Sequence, residues 1–264
     1  MMNITLGQYF PGDSPIHRLD PRTKLLGTIA IITAIFLCSG FVGYAIVFLF
    51  LLGVIKLSQV NYKVLLKGIK SLRFIIIFTC VINIFFQTEG AKLFAFGPIS
   101  VTWLGIQLSI FMALRLILLV IGTQLLTLTT SPIALTDGLE SLFKPMSKIG
   151  FPAHELAMMM SIALRFIPTL LEEADRIMKA QKARGADFES GNLIARAKAM
   201  IPLLVPLFVS AFRRADDLAL AMEARCYRGG EHRTRMKELH YEKIDLYAGL
   251  IMLALIVIIA LLPV

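Results

Sequence analysis

Two stretches of this chain, "EEADRIMKAQKARGA" from Glu172 to Ala186 and "RRADDLALAMEARCY" from Arg213 to Tyr227, align without a gap. Ala174 falls on Ala215, Asp175 on Asp216, Ala180 on Ala221, Ala183 on Ala224 and Arg184 on Arg225. This is a weak internal repeat, and each unit closes a long segment of helical periodicity. In the first segment Leu156, Met160, Ala163, Ile167, Leu170, Ala174 and Ile177 recur at alternating steps of four and three, and the stripe runs on to Gln181 and Arg184. In the second, Ile194, Ala197, Ile201, Leu204, Phe208, Ala211, Ala215, Leu218 and Met222 do the same and reach Arg225. Each arginine therefore continues an apolar seam at a helix end, where a cation also favours the macrodipole by about 0.3–1 kcal/mol. Two matched arginines on two long helices imply two similar pockets on a paired partner.

The rest of the chain belongs to a membrane. Hydrophobic residues make up 57% and charged residues 17% of 264, and the mean hydropathy is +0.75, outside the range of a soluble domain. Apolar runs occupy about 25–38, 41–55, 74–86, 104–130 and 244–262, against the roughly 20 residues that a spanning helix needs. The first reaches that length by including Asp20 and Pro21, a cap and first-turn pair, and Ser39, Gly40 and Gly43 make the turn into the second. Lys56, Lys63, Lys67, Lys70 and Arg73 fill the next loop with no acid among them, a cytoplasmic mark, whereas the loop from Gln87 to Trp103, with a turn at Gly97-Pro98, balances Lys92 against Glu89. The N-terminus is then inside and the C-terminus outside. The net charge of +9 reports this orientation and not nucleic acid, because no basic domain separates from the spans.

The expected architecture is all-α and polytopic, with about five spans. Residues 1–130 form an N-terminal four-helix bundle, 131–243 a cytoplasmic stretch with a basic link, and 244–264 the last span. Within the middle stretch three helices are expected, over 131–148, 152–184 and 192–226. Ser131-Pro132 opens the first, Gly185 ends the second, and Pro168, Pro202 and Pro206 lie inside the two long helices and should kink them.

Catalytic chemistry is not expected. "KGIKS" at 67–71 lacks the glycine loop that cradles phosphate, so the chain should not bind ATP. His17, His154, His232 and His240 form no metal-ligating pair, and neighbouring Asp216 and Asp217 read as a salt-bridging face. The scattered Cys38, Cys80 and Cys226 indicate neither disulfide nor zinc and read as packing residues, and the polar, turn-rich start is not a cleavable signal. Arg115, in mid-span, needs a partner, with Asn83 and Gln124 as candidates, or a function. A conventional importer permease would need a polar intramembrane path, for which Asn83, Gln107, Arg115 and Gln124 speak; an intramembrane enzyme would need convergent catalytic side chains.

In "GDSPIHRLDPRTKLL" at 12–26, together with the paired Ala-Arg-small motifs at 183–185 and 224–226, the chain resembles the T component of energy-coupling factor (ECF) transporters. The resemblance covers essentially the whole chain. It implies a transmembrane scaffold for vitamin or metal-ion uptake, with long coupling helices that cross as an X on the cytoplasmic side. It implies two ATP-binding cassette ATPase subunits, which carry the ATP and Mg, and a substrate-binding membrane subunit. Ala183, Arg184, Gly185, Ala224, Arg225 and Cys226 become the ATPase-docking residues, in a prokaryotic cell membrane. Cys226 stands where the family often has glycine, which implies a second helix end less free to turn left-handed, with Gly229-Gly230 serving instead. If the helices cross at equivalent positions, Glu172 and Glu173 meet Arg213 and Arg214.

Overall fold

The computed structural model describes residues 9–87, 92–96, 99–188, 192–229 and 238–262, and the chain divides into two units, Met1–Ser141 with Glu238–Val264 and Leu142–Lys237. In the first unit α1 (Pro15–Arg18) leads into α2 (Pro21–Leu37), α3 (Phe41–Ser58), α4 (Tyr62–Ser71) and α5 (Arg73–Phe86). A hairpin, β1 (Lys92–Phe96) and β2 (Ile99–Thr102), precedes α6 (Trp103–Thr129) and α7 (Pro132–Phe143), and the unit is completed by α10 (Lys243–Leu261). The second unit carries α8 (Ala153–Ala183) and α9 (Leu193–Ala224).

The fold is that of an all-α, multi-pass membrane protein. α3, α6 and α10 are long and apolar enough to cross a bilayer, with mean hydropathies of 2.2, 2.3 and 2.7 over their best windows; α8 meets the same test at 1.2. α2, with 17 residues, is about 25 Å long and nearly spans. Its buried face, Ile31, Ala34 and Ile35, packs with Val47 and Leu51 of α3, Leu118 of α6 and Leu255 of α10. Phe36, Leu49, Phe74, Phe86 and Leu253 stand exposed around this core, the surface of a bundle whose solvent is lipid.

Three expectations need correction. The basic loop Lys56–Arg73 is largely the helix α4, capped by Asn61, whose Oδ1 accepts from Lys63 N at 3.0 Å. Lys63, Lys67 and Lys70 lie on one helical face and Leu65 is buried on another, so the charge run is an amphipathic helix; α4 meets α5 at a 54° bend, the geometry of a broken span or of a re-entrant segment. The loop before α6 contains the two-stranded hairpin; the turn expected at Gly97-Pro98 lies outside the described residues. The helix expected over 131–148 is α-helical only to Phe143 and continues as a 3-10 turn, Lys144–Ile149, with Pro145 at its start and Gly150 ending it at φ 86°. Most of α7 belongs with the bundle: a Cβ on Gly138 would meet Pro21 at 3.0 Å.

The N-terminal motif has a structural meaning that sequence reasoning did not supply. Asp20 caps α2, its Oδ1 accepting from Arg22 N at 2.8 Å, and its own N–H donates to Asp245 Oδ1 of α10 at 2.8 Å. The Arg22 guanidinium pairs with both Asp20 oxygens, at 3.0 and 2.8 Å, and donates to Ser141 Oγ and to the Leu239 carbonyl. It also lies 3.9 Å over the Tyr241 ring. Lys24 Nζ donates to the carbonyls of His17 and Thr129, both at 2.9 Å. The clasp joins the starts of α2 and α10 to the end of α6 and to α7. Burial pushes the Asp20 carboxyl up, but the Arg22 hydrogen bonds and the Arg22 and Lys24 charges outweigh it and hold it below its ordinary value.

Candidate functional site

α8 and α9 are antiparallel neighbours of nearly equal length, 31 and 32 residues. Each runs unbroken through its internal prolines, Pro168 in α8 and Pro202 and Pro206 in α9. Proline has no N–H, so each position omits a ladder bond and is a place for the helix to bend.

The two helices end in the same hydrogen-bonded cap. At the end of α8 the Gly185 N–H donates to the Lys182 carbonyl at 3.0 Å and the Ala186 N–H to the Gln181 carbonyl at 2.9 Å. At the end of α9 the Cys226 N–H donates to the Glu223 carbonyl at 2.8 Å and the Tyr227 N–H to the Met222 carbonyl at 3.0 Å. Both are Schellman caps, which satisfy the last carbonyls by reversing the chain through one left-handed residue. Gly185 takes that conformation at φ 87° and Cys226 at φ 55°. Cys226 thus corrects two expectations: it adopts the left-handed turn itself, and its side chain is exposed and not packed. Gly229 is also left-handed, at φ 95°, but lies beyond the cap; Gly230 is outside the described residues.

The caps hold Arg184 and Arg225 in equivalent positions, the last before the left-handed residue. Ala183, Arg184, Gly185, Ala224, Arg225 and Cys226 are all exposed, and among the described residues neither guanidinium has an acceptor.

α8 and α9 meet midway between these ends. Arg214 Nη2 donates to Glu173 Oε2 at 2.7 Å, with 34% and 26% of the two side chains exposed. Glu172 instead lies 3.9 Å from Arg176 on its own helix, and among the described residues Arg213 has no ion-pair partner. Glu173 and Arg214 are themselves equivalent in the repeat, each eleven residues before its arginine, about 16 Å of helix. The pair therefore joins the two long helices at equivalent positions of the repeat. Beyond this point α9 offers Ile201 (54% exposed), Val205, Phe208 (61%), Val209 and Phe212 (68%) to its surroundings.

Among the described residues the polar side chains of the spans do not form a path. Asn83 Nδ2 bonds the Thr79 carbonyl of its own helix, and Arg115 Nε donates to Tyr44 Oη at 3.1 Å, so neither Asn83 nor Gln124 is the arginine's partner. Gln124 packs on Gly68, where a Cβ would collide with its amide. Gln107, Arg115 and Gln124 stand at levels about 12 and 14 Å apart along α6. The large cavity, about 890 Å3 between α2, α3, α6 and α10, has an almost wholly apolar wall and is lined by none of these four. Among the described residues no three His, Cys, Asp or Glu side chains gather as a metal site.

A multi-pass helical membrane protein with two matched, arginine-bearing helix ends is the class that these features define. The chain belongs to the cobalt transport protein family, whose pattern matches residues 12–236. A Thermosediminibacter oceani protein called "energy-coupling factor transporter transmembrane protein EcfT" is 58% identical over 248 residues, covering 94% of this chain and 93% of its own. Proteins of the same name from Acidaminococcus fermentans and Bacillus subtilis are 58% identical over 260 residues and 51% identical over 239, covering 98% and 90% of this chain and 97% and 90% of theirs. The chain is a transmembrane scaffold component of an ECF transporter, and such a component works with partner subunits.

Proposed function

We propose that this scaffold couples ATP hydrolysis by two cytoplasmic ATP-binding cassette subunits to the reorientation of a substrate-binding membrane subunit, for vitamin or metal-ion uptake. The identical caps carry the reading: two exposed arginines stand at the ends of equal arms about a shared pivot. A guanidinium is always charged and binds carboxylates or carbonyls through a rigid fork, which suits a force-bearing contact in a groove. Arg184 docks in one ATPase and Arg225 in the other, with the small flanking residues Ala183, Gly185, Ala224 and Cys226 allowing close approach. ATP and Mg reside on those partners. Closure of the ATPase pair moves the arms, α8 and α9 tilt about the Glu173–Arg214 pivot, and the apolar face of α9 carries the substrate-binding subunit with it. The N-terminus and the helix pair are cytoplasmic and the C-terminus is outside. Cysteines introduced beside Lys67 should resist impermeant thiol reagents in intact cells while those beside Gly90 react.

The test is co-purification of the ATPases and the substrate-binding subunit with Arg184→Glu, Arg225→Glu and the double variant. A carboxylate in a groove built for guanidinium costs roughly 2–5 kcal/mol at a buried contact. Either single change should weaken transport, and both together should release the ATPases, because two linked contacts raise the effective concentration of each. The substrate-binding subunit should stay with the double variant. Full retention of the ATPases by that variant would refute the docking role.

A further inference from the structure

Arg115 places a permanent charge within the bundle. Its Nε–H donates to Tyr44 Oη at 3.1 Å and its guanidinium lies 5.4 Å from the Phe36 ring centroid. Among the described residues its remaining N–H groups meet no acceptor. From Pro21 to Thr136 the sequence contains one carboxylate side chain, Glu89, outside the described residues, and Asp245 of α10 is engaged by the backbone N–H groups of Asp20 and Glu242 in the clasp at the other end of the bundle. The spans packed around Arg115 therefore offer it no counter-ion.

The depth of the guanidinium follows from the same contacts. Lys24 and Thr129 bond to each other and mark a common level near the starts of α2 and α10. Arg115 lies fourteen residues before Thr129 on α6, about 21 Å along the axis. Phe36, beside the guanidinium, stands twelve residues above Lys24 on α2, about 18 Å. The two heights agree and place the guanidinium in the far half of a hydrocarbon core of roughly 30 Å. Its neighbours agree: Phe36 is one residue from the end of α2 and Tyr44 is in the first turn of α3. At that end the chain turns through Ser39 and Gly40, and α10 finishes beside it, with Ile259 and Leu262 lining the same hollow as Phe41. The guanidinium thus sits beside the turn that joins two spans, on the side of the leaflet that holds it. Beside it Phe36 is 59% and Phe41 53% exposed, an apolar shelf facing lipid.

We infer that Arg115, steadied by Tyr44, binds the phosphate of a phospholipid in the leaflet that holds the α2–α3 turn, with an acyl chain against Phe36 and Phe41. Phosphate matches the guanidinium fork, and only a lipid delivers phosphate and hydrocarbon at this depth together.

The probe is 1-palmitoyl-2-oleoyl-phosphatidylglycerol, added to the full-length chain in detergent and counted by native mass spectrometry. The basic α4 at the opposite end also attracts anionic lipid, so the readout is the difference between proteins. Wild type should retain one more tightly held lipid than Arg115→Gln, whose affinity at that site should fall about tenfold, while Arg115→Lys should keep most of it. If the glutamine variant does not fold, wild type alone decides: dioleoylglycerol, which lacks phosphate, should be held at least tenfold more weakly. Equal retention by wild type and Arg115→Gln, or of the two lipids by wild type, would overturn the inference. Displacement of the lipid by 10 mM inorganic phosphate would also overturn it, by assigning the site to a free anion.

Discussion

The two caps put different residues in the same strained position, and exchanging the chemistry gives opposite effects at the two ends. A residue with a Cβ pays about 1–2 kcal/mol for a left-handed conformation that glycine adopts freely. Glycine's greater freedom in the unfolded chain offsets roughly 0.5–1 kcal/mol of that difference. At Gly185 nothing lies within 4 Å of the place a Cβ would take, so Gly185→Ala meets no clash and costs only the conformational remainder, about 1 kcal/mol. Cys226, at φ 55°, already bears that cost, and Cys226→Gly should tighten the α9 cap by a similar amount. One kcal/mol is about a fivefold change in an opening equilibrium. The assay is amide hydrogen exchange resolved at the last turn of each helix. Exchange of the Ala186 amide should accelerate about fivefold in Gly185→Ala, and that of the Tyr227 amide should slow two- to fivefold in Cys226→Gly. Unchanged Ala186 exchange, or faster Tyr227 exchange, would show that backbone conformation does not set the stability of these ends.

Glu173→Arg or Arg214→Glu alone should weaken the association of α8 with α9, seen as a lower melting temperature of the purified chain, and the exchanged pair should recover part of the loss; a purely additive double variant would remove the pivot. Gly68→Leu should destabilise the bundle by about 1–3 kcal/mol by driving the Gln124 amide off α4, and Gln124→Ala should relieve much of that in a thermal double-mutant cycle. Arg22→Ala leaves the Asp20 carboxylate, 2% exposed, without its partner and should cost about 2 kcal/mol, less than a fully enclosed pair because the guanidinium keeps an edge in water. The folded Asp20 carboxyl titrates below its ordinary 3.8. Its stabilisation is therefore complete above that value and is lost as pH falls through the lower folded one, so acid unfolding should be less steep in Asp20→Asn.

The sequence by itself determined the solvent, the spans α3, α6 and α10, and the two long helices with their matched ends. These are local properties: a span needs a run of apolar residues of bilayer length, and a Schellman cap is closed by bonds between residues at most five apart. The tertiary structure decided what depends on which helices adjoin. Lys56–Arg73 reads as a charged loop until Leu65 and Gly68 find the bundle, and the partner of Arg115 is Tyr44 because α3 packs beside α6. The N-terminal motif is legible as a pattern, but its purpose rests on a hydrogen bond between residues 225 positions apart. At Cys226 the side chain argues against a left-handed turn, and closing the two cap hydrogen bonds outweighs it. Repeat register put Glu172 and Glu173 equally opposite Arg213 and Arg214; only the rotation of each helix about its axis, set by packing, turned Glu173 and Arg214 inward and left Glu172 on its own helix.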